Sequence, residues 1–339
     1  GLITFAYQFT ASLLQPLVGI YTDKNPKPFS LAAAMGFTLV GILCLAFATS
    51  FYTILGSVAL VGIGSSIFHP EASRVAYLGS GGKRGLAQSI FQLGGNFGTA
   101  LGPLLIALVV ASKAQTEILK FLILALLGIA VLFFIGKWYN KQIILGHVKP
   151  KSNTGESRFS SKTIKISLAI LITLVFSKAF YLASMTNYYT FYLINKFGVG
   201  VEKSQILLFI FLGSVALGTF LGGPLGDKFG RKYIIWISIL GAAPFALALP
   251  YVGLNATIIL SVLIGLIMSS AFSAILVFAQ ELMPNKLGTI SGIFYGLSFG
   301  LGGLGSAVLG YFADMYSIET VYQITAFLPL LGIFAYFLP

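Results

Sequence analysis

Apolar stretches of about twenty residues recur along almost the whole chain, each long enough as a helix to cross a hydrocarbon core roughly 30 Å thick. Of the 339 residues, 57% are hydrophobic and only 9% are charged. A soluble domain carries roughly 25% charged residues, so over most of its length this chain has nothing to offer water. We read eleven spans, at about 2–22, 29–49, 52–77, 86–111, 116–138, 164–194, 205–225, 232–253, 256–280, 287–313 and 319–338. The 39 glycines and 12 prolines suit membrane helices that pack closely and bend. An all-α integral membrane protein is the expected class.

Successive spans face alternate sides, which divides the loops into two sets. One holds Lys24, Lys27, Lys83, Arg84, the 137–165 segment, Lys228, Arg231, Lys232 and Lys286; the other holds Lys113, Lys120, Lys196 and Lys203. Lys and Arg accumulate in cytoplasmic loops, so the first set is expected inside the cell. The net charge of +12 does not point to nucleic acid, because the cations sit in short inter-span segments and form no basic face. The single cysteine, Cys44, lies in an apolar span and gives no disulfide framework or thiolate metal site. Nothing resembles a cleavable signal peptide. The segment from about Tyr139 to Lys165 is the one long polar stretch, read as a linker that includes a solvated His147. The expected organisation is therefore 1–138, a cytoplasmic linker at 139–163, and 164–339.

An internal repeat relates the two halves. Gly19-Ile-Tyr-Thr-Asp23-Lys24 recurs as Gly223-Pro-Leu-Gly-Asp227-Lys228, and 227 − 23 gives an offset of 204. The same offset carries Ser65-Ser66 onto Ser269-Ser270, Phe68 onto Phe272 and Gly98 onto Gly302. It also puts the partner of the 164–194 span before residue 1, so each half is expected to have six spans with the first one missing from this chain. Two parallel halves with a site between them are the architecture of alternating-access transporters.

GIYTDKNPKP and its stronger copy GGPLGDKFGRK resemble the loop motif of the major facilitator superfamily. GSSIFHPEASRVA, GLAQSIFQLGGNFGTALGPLL and SAFSAILVFAQELMP are similar to one narrower group within it, the fosmidomycin resistance proteins. The resemblance covers the whole chain and implies proton-driven efflux of a phosphonate antibiotic. An importer or facilitator of a small organic anion, or a non-transporting membrane sensor on the same fold, is the alternative. The expected setting is the bacterial inner (plasma) membrane, with the protein working as a monomer on a small-molecule substrate and protons. No H-E-x-x-H, G-x-S-x-G or G-x-x-x-x-G-K-[ST] occurs, so no enzyme, cofactor or ATP-driven pump is expected.

Four groups of residues stand out. In the loop motif, Asp23 and Asp227 fall at helix ends, where a carboxylate can pair with a loop cation or a neighbouring helix's N-terminus. Gly19 and Gly223 allow close helix approach, and Lys24, Lys228 and Arg231 complete a gate. Plain topology is the competing reading, and in the first copy Asn25-Pro26-Lys27-Pro28 departs from the family pattern.

The second group is His69, Glu71 and Arg74. Ionisable groups within a span default to a functional hypothesis. Glu71 and Arg74 are three apart and can pair on one helix face, and either Glu71 or His69 is a candidate carrier of a coupling proton. A static ion pair is the alternative for Glu71–Arg74. Pro70 is expected to bend the helix. Two histidines without a thiolate do not make a zinc site. The offset puts Ser273 and Ile275 at the positions of His69 and Glu71, so this chemistry belongs to one half.

Third, Lys178, Tyr181, Ser184 and Tyr188 share one helix face with Asn187 nearby, and this set is expected to bind substrate, the Tyr hydroxyls donating to phosphonate or carboxylate oxygens. Lys178 lies too deep to snorkel and needs an anionic partner or substrate. Tyr189 and Tyr192 are read as part of an interfacial aromatic belt.

Fourth, Gln88, Gln92 and Asn96 form a stripe of amides, of which Gln92 and Asn96 are expected to line the substrate cavity. Gly94, Gly98 and Gly102-Pro103 form a G-x-x-x-G series for helix packing and hinging, and resemble a glycine-proline motif associated with export. Gln280 and Glu281 are expected at a gate.

Overall fold

The computed structural model describes residues 2–109, 114–146 and 159–339. His147, Lys113 and the 147–158 part of the expected linker lie outside the described residues. Every regular element among the described residues is helical. The first half carries α1 (Leu2–Lys24), α2 (Ser30–Ala46), α3 (Phe51–Leu78), α4 (Arg84–Val109) and α5 (Leu122–Ile144). The second carries α6 (Ser161–Phe197), α7 (Val201–Phe229), α8 (Arg231–Leu240), α9 (Ala243–Ala248), α10 (Leu254–Ser269), α11 (Ala271–Leu282), α12 (Leu287–Met315) and α13 (Ile318–Thr325). Short 3-10 turns at Gln115–Phe121, Leu249–Tyr251, Pro284–Lys286 and Leu328–Phe337 lead into or extend some of these. Among the described residues, eight helical runs are long and apolar enough to cross a membrane by length and composition.

Local chemistry sets the helix ends. At the start of α3, the Ser50 hydroxyl accepts from the Thr53 N–H at 3.2 Å and the Thr53 hydroxyl accepts from the Ser50 N–H at 3.0 Å. This reciprocal cap satisfies two donors that a helix start leaves open. Ser160 caps α6 through the Thr163 N–H at 3.2 Å, and Gly198, at φ 62°, ends it. α6 has 37 residues, about 55 Å at 1.5 Å per residue. α5 runs through Ile144 and α6 begins at Ser161, so both ends of the stretch read as linker are helical.

On α5 the buried residues Ala125, Leu132, Gly136 and Tyr139 form one stripe, whereas Leu124, Leu126, Leu127, Val131 and Phe134 are exposed. Such an apolar exterior suits lipid and not water. With lipid outside, close packing drives association more than hydrophobic burial does. A Cβ on Gly64 of α3 would lie 2.6 Å from the Ala34 carbonyl oxygen of α2, and one on Gly218 of α7 would lie 2.2 Å from that of Leu266 in α10.

The described residues divide into two compact units. The first comprises Gly1–Gly79, Gly95–Arg158 and Met283–Gly300, and the second Ser80–Gly94, Phe159–Leu282 and Leu301–Pro339. Each unit therefore contains the opening turns of one helix from the other sequence half, α12 in the first and α4 in the second. The core of the second unit is rich in aromatics. Tyr181, Met185, Tyr189, Tyr192, Phe211, Met268 and Tyr322 are buried together, with Tyr192 stacked on Tyr322 at 4.1 Å. Tyr189 and Tyr192 are each 0% exposed, so they belong to this core and not to an interfacial belt. The sequence could not distinguish the two because either setting accepts a ring with one polar tip.

Candidate functional site: two capped helix starts and a membrane-buried lysine

In the first unit, α1 meets the start of α12 backbone to backbone: a Cβ on Gly19 would lie 2.1 Å from the Gly288 carbonyl oxygen. That approach brings Asp23, one turn later, onto the open end of α12. Its carboxylate accepts from the Gly288 N–H at 2.9 Å, the Thr289 N–H at 2.7 Å and the Thr289 hydroxyl at 2.6 Å. A helix start carries unsatisfied N–H groups and partial positive charge, and a carboxylate answers both.

Arg74 of α3 lies 2.5 Å from Asp23 and 2.9 Å from Glu71. It also donates to the Thr22 carbonyl at 3.0 Å, the Thr22 hydroxyl at 3.1 Å and the Tyr139 hydroxyl at 3.4 Å. The other Glu71 oxygen accepts from Ser30 at 3.1 Å. The loop motif and the charged α3 motif are thus parts of one cluster. Tyr139, taken from the sequence as the edge of a linker, is 1% exposed and belongs to it. Lys24 borders a cavity of about 270 Å³ beside the cluster, together with Ile20, Asp23, Asn285, Lys286 and Thr289.

His69 has a different environment. Its Nδ1 is 2.9 Å from the Ser65 carbonyl oxygen, which can only accept, so that nitrogen carries a proton. The ring packs on Tyr295 and Phe299 at 5.3 and 4.9 Å. α3 continues through Pro70 as one helical element. Among the described residues no group of side chains is arranged to hold a metal ion.

The second unit repeats the backbone device. A Cβ on Gly223 would lie 2.1 Å from the Gly85 carbonyl oxygen, and Asp227 accepts from the N–H groups of Gly85 at 3.0 Å and Leu86 at 2.8 Å. Arg231 is 2.6 Å from Asp227 and 3.6 Å from Glu281, which also pairs with Arg84 at 3.2 Å. Glu281 therefore joins this clamp, while the Lys228 ammonium rests 5.2 Å from the Phe229 ring.

Lys178 sits near the middle of α6, its ammonium 5.0 Å from the centre of the Phe272 ring. The carboxylates of its unit lie at helix ends: Glu202 opens α7, Asp227 ends it, Glu281 is near the end of α11, Asp314 near the end of α12, and Glu319 opens α13. Among the described residues none of them forms an ion pair with Lys178. A cation–π contact offsets only part of the cost of removing an ammonium from water.

The neighbours of Lys178 on α6 are engaged in packing. Tyr181 is 1% exposed in the aromatic core. The Ser184 hydroxyl donates to the Tyr181 carbonyl at 2.7 Å, Asn187 to that of Ala183 at 3.0 Å and Tyr188 to that of Ser306 at 2.6 Å. From α4, Gln92 and Ser89 each donate to the Ser273 hydroxyl at 3.0 Å, so Gln92 meets the residue next to Phe272. Gln88 is buried, and Asn96 is half-buried in the first unit. A Cβ on Gly94, Gly98 or Gly102 would meet nothing within 4 Å; these glycines make no close helix contact here. Pro103 lies within α4, and its side chain is outside the described atoms.

The profile of the Major Facilitator Superfamily matches residues 1–307 and again 205–339. The fosmidomycin resistance protein of Escherichia coli K12 is 55% identical over 339 residues, all of this chain and 83% of that protein. The uncharacterized MFS-type transporter YfnC of Bacillus subtilis 168 is 44% identical over 343 residues, again covering all of this chain and 83% of the relative. In fold, the chain superposes on the E. coli fucose:proton symporter FucP with a TM-score of 0.77 at 17% identity, covering 100% of this chain and 90% of that one. On the human organic anion transporter MFSD10 the TM-score is 0.74 at 18% identity, covering 100% and 83%. The chain is a multi-pass membrane transporter that belongs to the major facilitator superfamily and, within it, to the fosmidomycin resistance protein family.

Proposed function

We propose that the protein exports small anionic or amphiphilic compounds, fosmidomycin among them, in exchange for protons by alternating access. The observation that carries this reading is Lys178, a cation at mid-helix that has an aromatic seat and, among the described residues, no carboxylate partner. An anionic phosphonate or carboxylate would be its counter-charge, with Gln92, Asn187 and the Tyr188 region as further polar contacts. Tyr181 and Ser184 would support α6 from within the packed unit. The 55% identity to a fosmidomycin resistance protein supports efflux and that substrate. Glu71, with His69 as the second candidate, carries the proton, and the clamps at Asp23 and Asp227 gate the cytoplasmic side of the plasma membrane. The molecule works as a monomer, without nucleic acid or cofactor.

The test is fosmidomycin tolerance of a sensitive bacterium expressing the full-length protein. Wild type should protect, and Lys178→Ala, Glu71→Gln and His69→Ala should each reduce protection. Absence of protection by wild type would remove the substrate assignment, and normal protection by all three variants would remove the site assignment. Dissipating the proton gradient should stop efflux; continued transport would exclude proton coupling.

A further inference from the structure

We infer that Glu71 competes with the first clamp for Arg74, so that a proton on Glu71 tightens the hold of Asp23 on α12 and its loss loosens that hold. The inference rests on the coupling role given to Glu71 above. Two carboxylates share one guanidinium: one terminal nitrogen of Arg74 faces Glu71 at 2.9 Å and the other faces Asp23 at 2.5 Å. The side chains of Glu71 and Arg74 are 0% and 4% exposed, where charges act on one another more strongly than in water.

Among the described residues, the elements around Glu71 supply no second cation in contact with it. α1 contributes Thr22 and Asp23, α2 contributes Ser30, α5 contributes Tyr139, and α12 contributes N–H groups and the Thr289 hydroxyl, all of which are spent on Asp23. His69, on the same helix, turns to Ser65, Tyr295 and Phe299. Lys24 and Lys286 are exposed.

While Glu71 is charged, Arg74 is divided between two anions. When Glu71 is neutral, the guanidinium belongs to Asp23 alone, and Asp23 keeps its grip on the start of α12. A proton arriving from the far side would thus hold this clamp shut, and its release on the near side would accompany opening. In the second clamp Arg231 also faces two carboxylates, Asp227 at 2.6 Å and Glu281 at 3.6 Å, but Glu281 has Arg84 as a second cation, and the repeat puts Ile275 where Glu71 stands.

A merely supportive Glu71 gives the opposite sign, because removing one member of a buried ion pair ordinarily loosens what it holds. Spin labels on Asn25→Cys and Pro284→Cys, both exposed positions outside the cluster, in a full-length Cys44→Ser background, would report the clamp distance in proteoliposomes. Glu71→Gln should raise the ratio of short to long distances about fivefold or more, at the lower end of coupling between linked sites. Asp23→Asn should lower it, and Glu71→Gln should have no effect in the Asp23→Asn background. In wild type, acidification should raise the share of short distances, and in Glu71→Gln it should not; the wild-type half of this arm needs no substitution in the cluster. A longer or unchanged distance in Glu71→Gln, or an equal acid response with and without Glu71, would overturn the inference. The distances are read independently of transport, so failed fosmidomycin efflux with the stated distance changes would sink the substrate reading and leave this one standing.

Discussion

In the first clamp, the aspartate that caps α12 shares a guanidinium with Glu71, whose side chain is 0% exposed. In the second, the aspartate that caps α4 pairs with Arg231, which also reaches Glu281, and Glu281 has a second partner in Arg84; the Arg84 and Glu281 side chains are 38% and 34% exposed. The backbone device is the same in both. A glycine lets two helices touch, and one turn later a carboxylate accepts two consecutive N–H groups from a helix start. The repeat has therefore preserved a hydrogen-bonding geometry that any helix start can satisfy, while the charges around it have diverged. The first cluster has two acids to one arginine, and the second has two to two. A buried excess of charge costs stability, which marks the first clamp as the one with more than a holding role.

The largest expected difference between the clamps lies in their arginines. Arg74→Met leaves two carboxylates without a cation and should cost about 3–5 kcal/mol, whereas Arg231→Met should cost about 2 kcal/mol. Equal shifts in detergent unfolding would break the distinction. Next are the glycines, where the two clamps should agree. Gly19→Ala and Gly223→Ala each force a methyl against a carbonyl and should each cost about 1–3 kcal/mol. Gly98→Ala, facing open space, should be neutral or stabilising by up to about 1 kcal/mol; a large loss there would show that its surroundings close in during the cycle.

Smaller still, Asp227→Asn keeps an acceptor for the α4 start but removes the charge, and should cost about 1 kcal/mol. Amide exchange at Gly85 and Leu86 would measure it. The smallest effect is that of salt. Raising ionic strength from about 0.05 to about 0.5 M should weaken the exposed Arg84–Glu281 pair, worth up to about 1 kcal/mol, and leave Asp23–Arg74 unaffected. Exchange at the first turn of α4 should quicken while that of α12 does not; an equal response would remove the contrast in burial.

Much of this was legible before any coordinates. Span-length apolar runs imply membrane helices because only backbone bonded within its own segment is tolerated in lipid. The Gly-x-x-x-Asp repeat marked both clamps, and a lysine too deep to snorkel marked α6. Other features were beyond a one-dimensional reading. Asp23 and Arg74 are 51 positions apart, so nothing in the spacing said that the loop motif and the α3 motif would be one cluster. Tyr139 stands at the end of an apolar run beside cations, where a surface residue is the natural reading; it became interior only because α5 continues to Ile144. The α4 glycines had the spacing of a packing motif, but among the described residues a Cβ on them would meet nothing within 4 Å.

Composition, hydrophobic length and the internal repeat are properties of the chain itself, and they were enough to imply a membrane protein of two related halves with a carboxylate at two equivalent helix ends. Which cation serves which acid is different. An ion pair depends on distances between helices that are far apart in sequence, and a shift of a few ångströms separates a shared arginine from a dedicated one. Only the packing of α1, α3, α5 and α12 decided that Arg74 would stand between Glu71 and Asp23, and only that of α6 against α11 that Lys178 would be left to an aromatic ring.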